Sequence, residues 1–162
     1  MPGVDLYGLV KSLRAQRRPL PLRIALRVLA DILAALDYAH TRVDTYGRRM
    51  NIVHRDVNPR NVMLSTRGEV KLIDFGVAKA DNRAQETEVH TIKGKFAYMA
   101  PEQLDEELRV DGRADLFAVG IMLHELVSGR HPWSGLGQVQ VMHKVLTAVS
   151  YTHLTLPTNR EV

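Results

Sequence analysis

The chain has 162 residues, with 22 Lys+Arg against 18 Asp+Glu, a formal charge of +4 and no cysteine. That length suits one domain with a sizeable core; the missing cysteines exclude disulfides, thiolate metal sites and a Cys nucleophile, and fit a reducing compartment. The basic residues are scattered, which argues against a nucleic-acid patch, and Arg27, Asp31 and Asp37 interrupt the longest apolar region, so no stretch reaches the ~20 apolar residues of a membrane span. Asp5 falls where the apolar core of a signal peptide would start. A cytoplasmic segment is expected, with a membrane anchor elsewhere in a longer parent left open.

Taken in chain order, residues 5–16 read as an amphipathic helix with Asp5 as its N-cap, ended by Pro19 and Pro21. Residues 22–41 are apolar on nearly every face except for a stripe of Arg23, Arg27 and Asp31, which predicts a buried helix. A polar segment around Gly47 follows. Three short apolar runs come next, at 51–53, 62–64 and 70–73, and Ser65-Thr66-Arg67-Gly68 reads as a hairpin turn between the last two. Residues 76–99 show no period and read as a long loop, a kind that is usually functional in a compact domain. A second nearly all-apolar helix is predicted over 113–128, with Gly129 just past its end and Pro132 beyond, and a further helix over 138–149. The fold class expected is α+β, mainly helical, with a small hairpin sheet that carries loops.

Those loops hold the chemistry. Asp56 and Asn61 flank a tight turn containing Pro59, and Asp74 ends the second hairpin strand, so three oxygen-bearing side chains can converge at one end of the sheet. A carboxylate with an amide suits a hard cation such as Mg²⁺, which commonly shares its oxygen shell with phosphates. The other carboxylate is then available to accept a proton, an arrangement that fits phosphoryl transfer.

The sequences His54-Arg55-Asp56-Val57-Asn58-Pro59-Arg60-Asn61, Asp74-Phe75-Gly76 and Ala100-Pro101-Glu102 resemble, in order and spacing, the catalytic loop, magnesium-binding triplet and activation-segment end of eukaryotic-like (Hanks-type) bacterial serine/threonine protein kinases. The resemblance spans about residues 2–149. It implies that Asp56 accepts the substrate hydroxyl proton, that Asn61 and Asp74 hold Mg²⁺ (with Mn²⁺ as an alternative ion) against ATP, and that the partner is a protein carrying Ser or Thr. It further implies that Asp115 anchors the catalytic-loop backbone; an acid in a helix's first turn, favoured by the dipole, is the plainer alternative. Asp5 resembles the acid that reaches the ribose, or it simply caps its helix. Met63 resembles the adenine-pocket floor or is plain core, with Val62 and Leu64 pointing inward. His54 resembles a structural histidine packed on Phe75. Arg55 resembles the arginine that pairs with an activation-loop phosphate, for which Thr87 and Thr91 are the candidates.

Two positions depart from the pattern: Asn58 stands where the family usually has lysine, and Lys95 where it usually has threonine. Lys95 is therefore expected to bring an ammonium to the place of the missing lysine, unless Asn58 is merely tolerated and Lys95 is a surface charge. Asn58 and the insertion at 43–50 look most like kinases of delta-proteobacterial type. The chain begins just after the family's hinge, so the N-lobe with its Gly-rich loop and phosphate-binding lysine is expected to be missing. So are the later helices, one of which carries the arginine that pairs with Glu102. On this reading residues 1–149 are a partial kinase domain, a C-lobe inactive alone. Residues 150–162 read as a non-kinase tail resembling a translated sequencing adapter, with a divergent natural C-terminus as the rival. The competing functions are a pseudokinase that binds partners and a small-molecule phosphotransferase of related fold, against which the segment from Lys93 to Glu102 argues.

Overall fold

In the computed structural model, residues 3–75, 96–105 and 108–152 are described, the last five by their backbone alone. The elements in chain order are β1 (Gly3–Asp5), α1 (Leu6–Ala15), α2 (Leu22–His40), a 3₁₀ turn (Pro59–Asn61), β2 (Val62–Ser65), β3 (Val70–Leu72), two further 3₁₀ turns (Phe96–Tyr98 and Pro101–Gln103), α3 (Gly112–Ser128) and α4 (Gln138–Thr152).

The sheet has the order β1-β2-β3 and is antiparallel throughout. The hairpin forms where its turn chemistry predicts. Ser65 Oγ accepts the Arg67 and Glu69 N–H groups, and Gly68 supplies the positive φ of 81°. Val62 is buried and Leu64 packs on the core while Met63 faces the other way, the period-2 alternation of a strand. β1 is an addition to the sequence-based reading, and it pairs Asp5 with Met63 and Val4 with Leu64. The 51–53 run forms no strand.

The core is one cluster. From α2 it takes Ala25, Val28, Leu29, Ile32 and Leu36, spaced as one helical face, and from α3 Ala118, Val119, Met122 and Leu126. Fully burying side chains of this size stabilises by roughly 1.5–3 kcal/mol each before entropy is counted. Leu6, Val57 and Val62 tie α1, the 54–61 loop and the hairpin to the same cluster. The expectation that both long helices are buried all round is corrected here. Leu22, Leu26 and Tyr38 on α2 and Leu116, Leu123 and Val127 on α3 are 41–61% exposed, because α2 packs against α3 and β3 and α3 against α2 and the two later 3₁₀ turns, which leaves their outer faces open. Gly129 ends α3 in the left-handed region at φ 72°, with its N–H bonded to Glu125 O, a conformation glycine adopts without strain. Among the described residues no helix is long and apolar enough to cross a membrane.

Candidate active site

The site is built on a single buried carboxylate. Asp111 caps α3 by accepting the Arg113 N–H, which sets Asp115 in the helix's first turn, where it is 1% exposed. One Asp115 oxygen accepts the Arg55 N–H at 2.8 Å. The other accepts the His54 N–H at 2.9 Å and lies 2.7 Å from His40 Nε2 at the end of α2. A carboxylate only accepts, so Nε2 is the protonated nitrogen of His40. Gly112 makes this possible: a Cβ there would sit 2.7 Å from His40 Nδ1.

The clamp holds an unusual backbone. Arg55 has φ 63°, a left-handed conformation that costs a non-glycine residue on the order of 1 kcal/mol and persists only where the surroundings impose it. Here Asp115 holds its N–H, and Gln103 Nε2 donates to its carbonyl at 2.8 Å. Gln103 Oε1 in turn accepts the Ala100 N–H, so the Pro101–Gln103 turn is tied directly to the 54–61 loop.

Below the loop, His54 is fully buried. Its Nδ1 faces the Asp56 N–H at 3.3 Å and its Nε2 the Ile73 carbonyl at 2.9 Å, so the ring is the neutral tautomer with its proton on Nε2. The ring lies 4.4 Å from that of Phe75. Burial pushes the imidazole below its ordinary value of 6.5, against smaller upward pulls from the Ile73 bond, Asp115 and Asp56. His131 is depressed for the same first reason. An unfolded chain therefore binds protons near pH 6.5 that the folded chain resists. This contribution is fully present above that value and is lost as pH falls through it. The urea midpoint is expected to drop from about pH 7.5 to about pH 5.5; a midpoint that rises over that range contradicts the neutral, buried assignment.

Ile73 is held at both ends, its carbonyl by His54 and its N–H by the Asn61 carbonyl at 2.9 Å. That brings Asp74, exposed and at φ 58°, beside the 54–61 loop. In the loop, Asn58 Oδ1 caps the 3₁₀ turn by accepting the Arg60 N–H, while Asn58 Nδ2 donates to Asp56 O at 2.9 Å and Asp56 Oδ1 at 3.2 Å. Asn61 Nδ2 donates to Asp56 O at 2.8 Å, which leaves the amide oxygen as its remaining ligating atom. Among the described residues no group of three His, Cys, Asp or Glu could hold a metal. The Asn61 and Asp74 oxygens still fit a hard cation that takes the rest of its shell from phosphates and water.

Asp5 and Met63 meet as register partners, although Asp5 Oδ1 accepts the Gly8 N–H at 2.7 Å and so caps α1. Glu102 is half-buried in the Pro101–Gln103 turn. Gly76, Thr87, Thr91 and Lys95 lie outside the described residues. Sequence reasoning missed His40 and Gln103, and it missed a buried cluster in which Glu125 accepts from Tyr98 Oη and from Arg14 at 3.1 Å.

A family model for the protein kinase domain matches residues 1–161. The chain belongs to the protein kinase family. Among bacterial relatives of this kinase chain, the tyrosine-protein kinase MasK of Myxococcus xanthus is 38% identical over 146 residues, 90% of this chain and 22% of that protein. The serine/threonine-protein kinase PknL of Mycobacterium tuberculosis is 35% identical over 141 residues, covering 87% and 33%. A probable serine/threonine-protein kinase PknB of Bifidobacterium longum is 38% identical over 126 residues, covering 76% and 17%. The kinase chain thus spans a third or less of each of these proteins.

Proposed function

We propose that this chain supplies the catalytic and metal-binding loops of a kinase that transfers the γ-phosphate of ATP to Ser or Thr of a protein substrate. The observation that carries the reading is the double clamp: Asp115 holds the His54 and Arg55 amides next to Asp56, and His54 and the Asn61 carbonyl hold Ile73 next to Asp74. Catalysis of phosphoryl transfer is mostly positioning and charge stabilisation, so a rigid frame is what the reaction needs.

In this mechanism Asp56 accepts the proton of the attacking hydroxyl, oriented by the Asn58 amide on its Oδ1. Asn61 and Asp74 would hold magnesium, which would supply neutralisation of the phosphate charge. Asp115 touches no reactant; it positions the loop by holding the His54 and Arg55 amides. Asp5 and Met63 would border the nucleoside, and Lys95 would bring its ammonium toward the phosphate beside Asn58.

Serine/threonine specificity is favoured by the names of PknL and PknB, whereas MasK carries a tyrosine-kinase name. The deciding experiment labels a mixed protein substrate with γ-labelled ATP, using the full kinase that carries this sequence, and then identifies the phosphoamino acids. Label in phosphoserine and phosphothreonine is expected. Label confined to phosphotyrosine overturns the specificity, and no transferred label overturns the activity.

A further inference from the structure

Beside the 54–61 loop, α1 and α3 enclose a cleft of about 140 Å³ lined by Tyr7, Val10, Lys11, Arg14, Pro59 and Glu125. Its one wall from the catalytic loop is the segment that holds Asp56: Asn58 contacts Asp56, and Arg60 N–H bonds Asn58. The Arg60 guanidinium lies over the ring of Tyr7, a lining residue, at 4.0 Å, which holds it at the cleft rim.

Charge decides what the cleft can take. Its acid, Glu125, is 8% exposed, and both its oxygens are occupied, one by Arg14 and the other by the Tyr98 hydroxyl. A substrate cation would have to displace Arg14 to reach it. Asp5, the other nearby acid, caps α1. The rim cations Lys11 and Arg60 are exposed and form no ion pair among the described residues, and Arg18 continues the basic edge into an adjoining cavity that also meets Arg14 and Glu125.

We propose that this cleft receives an acidic side chain of the protein substrate close to the phosphorylated residue, with Arg60 and Lys11 as the specificity-determining cations and Tyr7 as the positioning residue for Arg60. The proposal rests on the reading of Asp56 as the residue that meets the substrate hydroxyl. It adds a substrate class to that reading: Ser/Thr sites flanked by Asp or Glu.

The test uses the full kinase carrying this sequence and acceptor peptides in which Asp, Ala or Lys is placed in turn at each flanking position, with kcat/KM as the readout. At one flanking position Asp is expected to exceed Lys by about 5-fold, the scale of an exposed ion pair, and the ratio should shrink with added salt. The Lys11→Glu/Arg60→Glu double variant should invert that ratio. Arg67→Glu, a charge change in the distant hairpin turn, should leave it in place. Efficient phosphorylation with no flanking preference, or a preference for Lys in the unaltered kinase, overturns the cleft proposal while leaving the kinase reading standing. If no peptide and no protein is phosphorylated, the kinase reading itself fails and the cleft proposal falls with it.

Discussion

Replacing Asp115 by Ala in the full kinase is expected to lower stability by about 3–5 kcal/mol, because three hydrogen-bond donors lose their shared acceptor, and to abolish measurable phosphoryl transfer. The carboxylate is 1% exposed and is the acceptor for three donors: the His54 and Arg55 amides and His40 Nε2. Each buried donor left without a partner costs roughly 1–3 kcal/mol. The loss is also local, because Arg55 is then free to leave φ 63° and the loop that carries Asp56 loses its frame. Asp115→Asn keeps one acceptor oxygen but turns an NH₂ toward a backbone N–H, so it should fall between wild type and Asp115→Ala. The check is a urea midpoint together with amide hydrogen exchange at His54 and Arg55, which should accelerate in step with the stability loss. Unchanged exchange at both amides would show that the loop does not depend on Asp115.

Asp56→Asn is expected to reduce kcat by ~10²–10⁴, the range of a general base, with little change in folding. Its side chain is half-buried and receives the Asn58 amide, a bond that the Asn side-chain oxygen can still accept. A large rate loss with an intact urea midpoint separates this role from that of Asp115, where rate and stability fall together. A kcat within about twofold of wild type would remove Asp56 from the proton-accepting role, because a positioned base contributes at least ~10².

The parts of the fold legible in the sequence are those specified by neighbours along the chain. The hairpin was readable from Ser65 to Gly68 because the turn is closed by local bonds, and α3 was readable because its apolar run ends at Gly129, which stops the helix in the left-handed region. β1 was not legible: three residues leading into a helix carry no strand period, and only pairing with β2 makes them a strand. Exposure of the outer faces of α2 and α3 was misjudged because an all-apolar helix does not say how many neighbours cover it.

The candidate site divides in the same way. Asp56, Asn61 and Asp74 stood out because their residue types and spacing carry the chemistry. His40 and Gln103 did not, since their partners are 75 and 48 residues away and a lone histidine or glutamine at an element end gives no local sign of them. The small residue at Gly112 likewise makes sense only with the His40 ring in place.

The most direct test of the account is the initial rate of γ-phosphate transfer across a magnesium titration, comparing the full kinase with its Asp74→Asn variant. Asp74 is exposed, so the substitution should leave stability within about 0.5 kcal/mol of wild type. The account predicts a saturable magnesium dependence in wild type, and in the variant a strongly depressed rate recovered, if at all, only at much higher magnesium. A variant that matches the wild-type curve would contradict the assignment of Asp74, and with it the claim that the clamped loops form a magnesium-dependent phosphoryl-transfer centre.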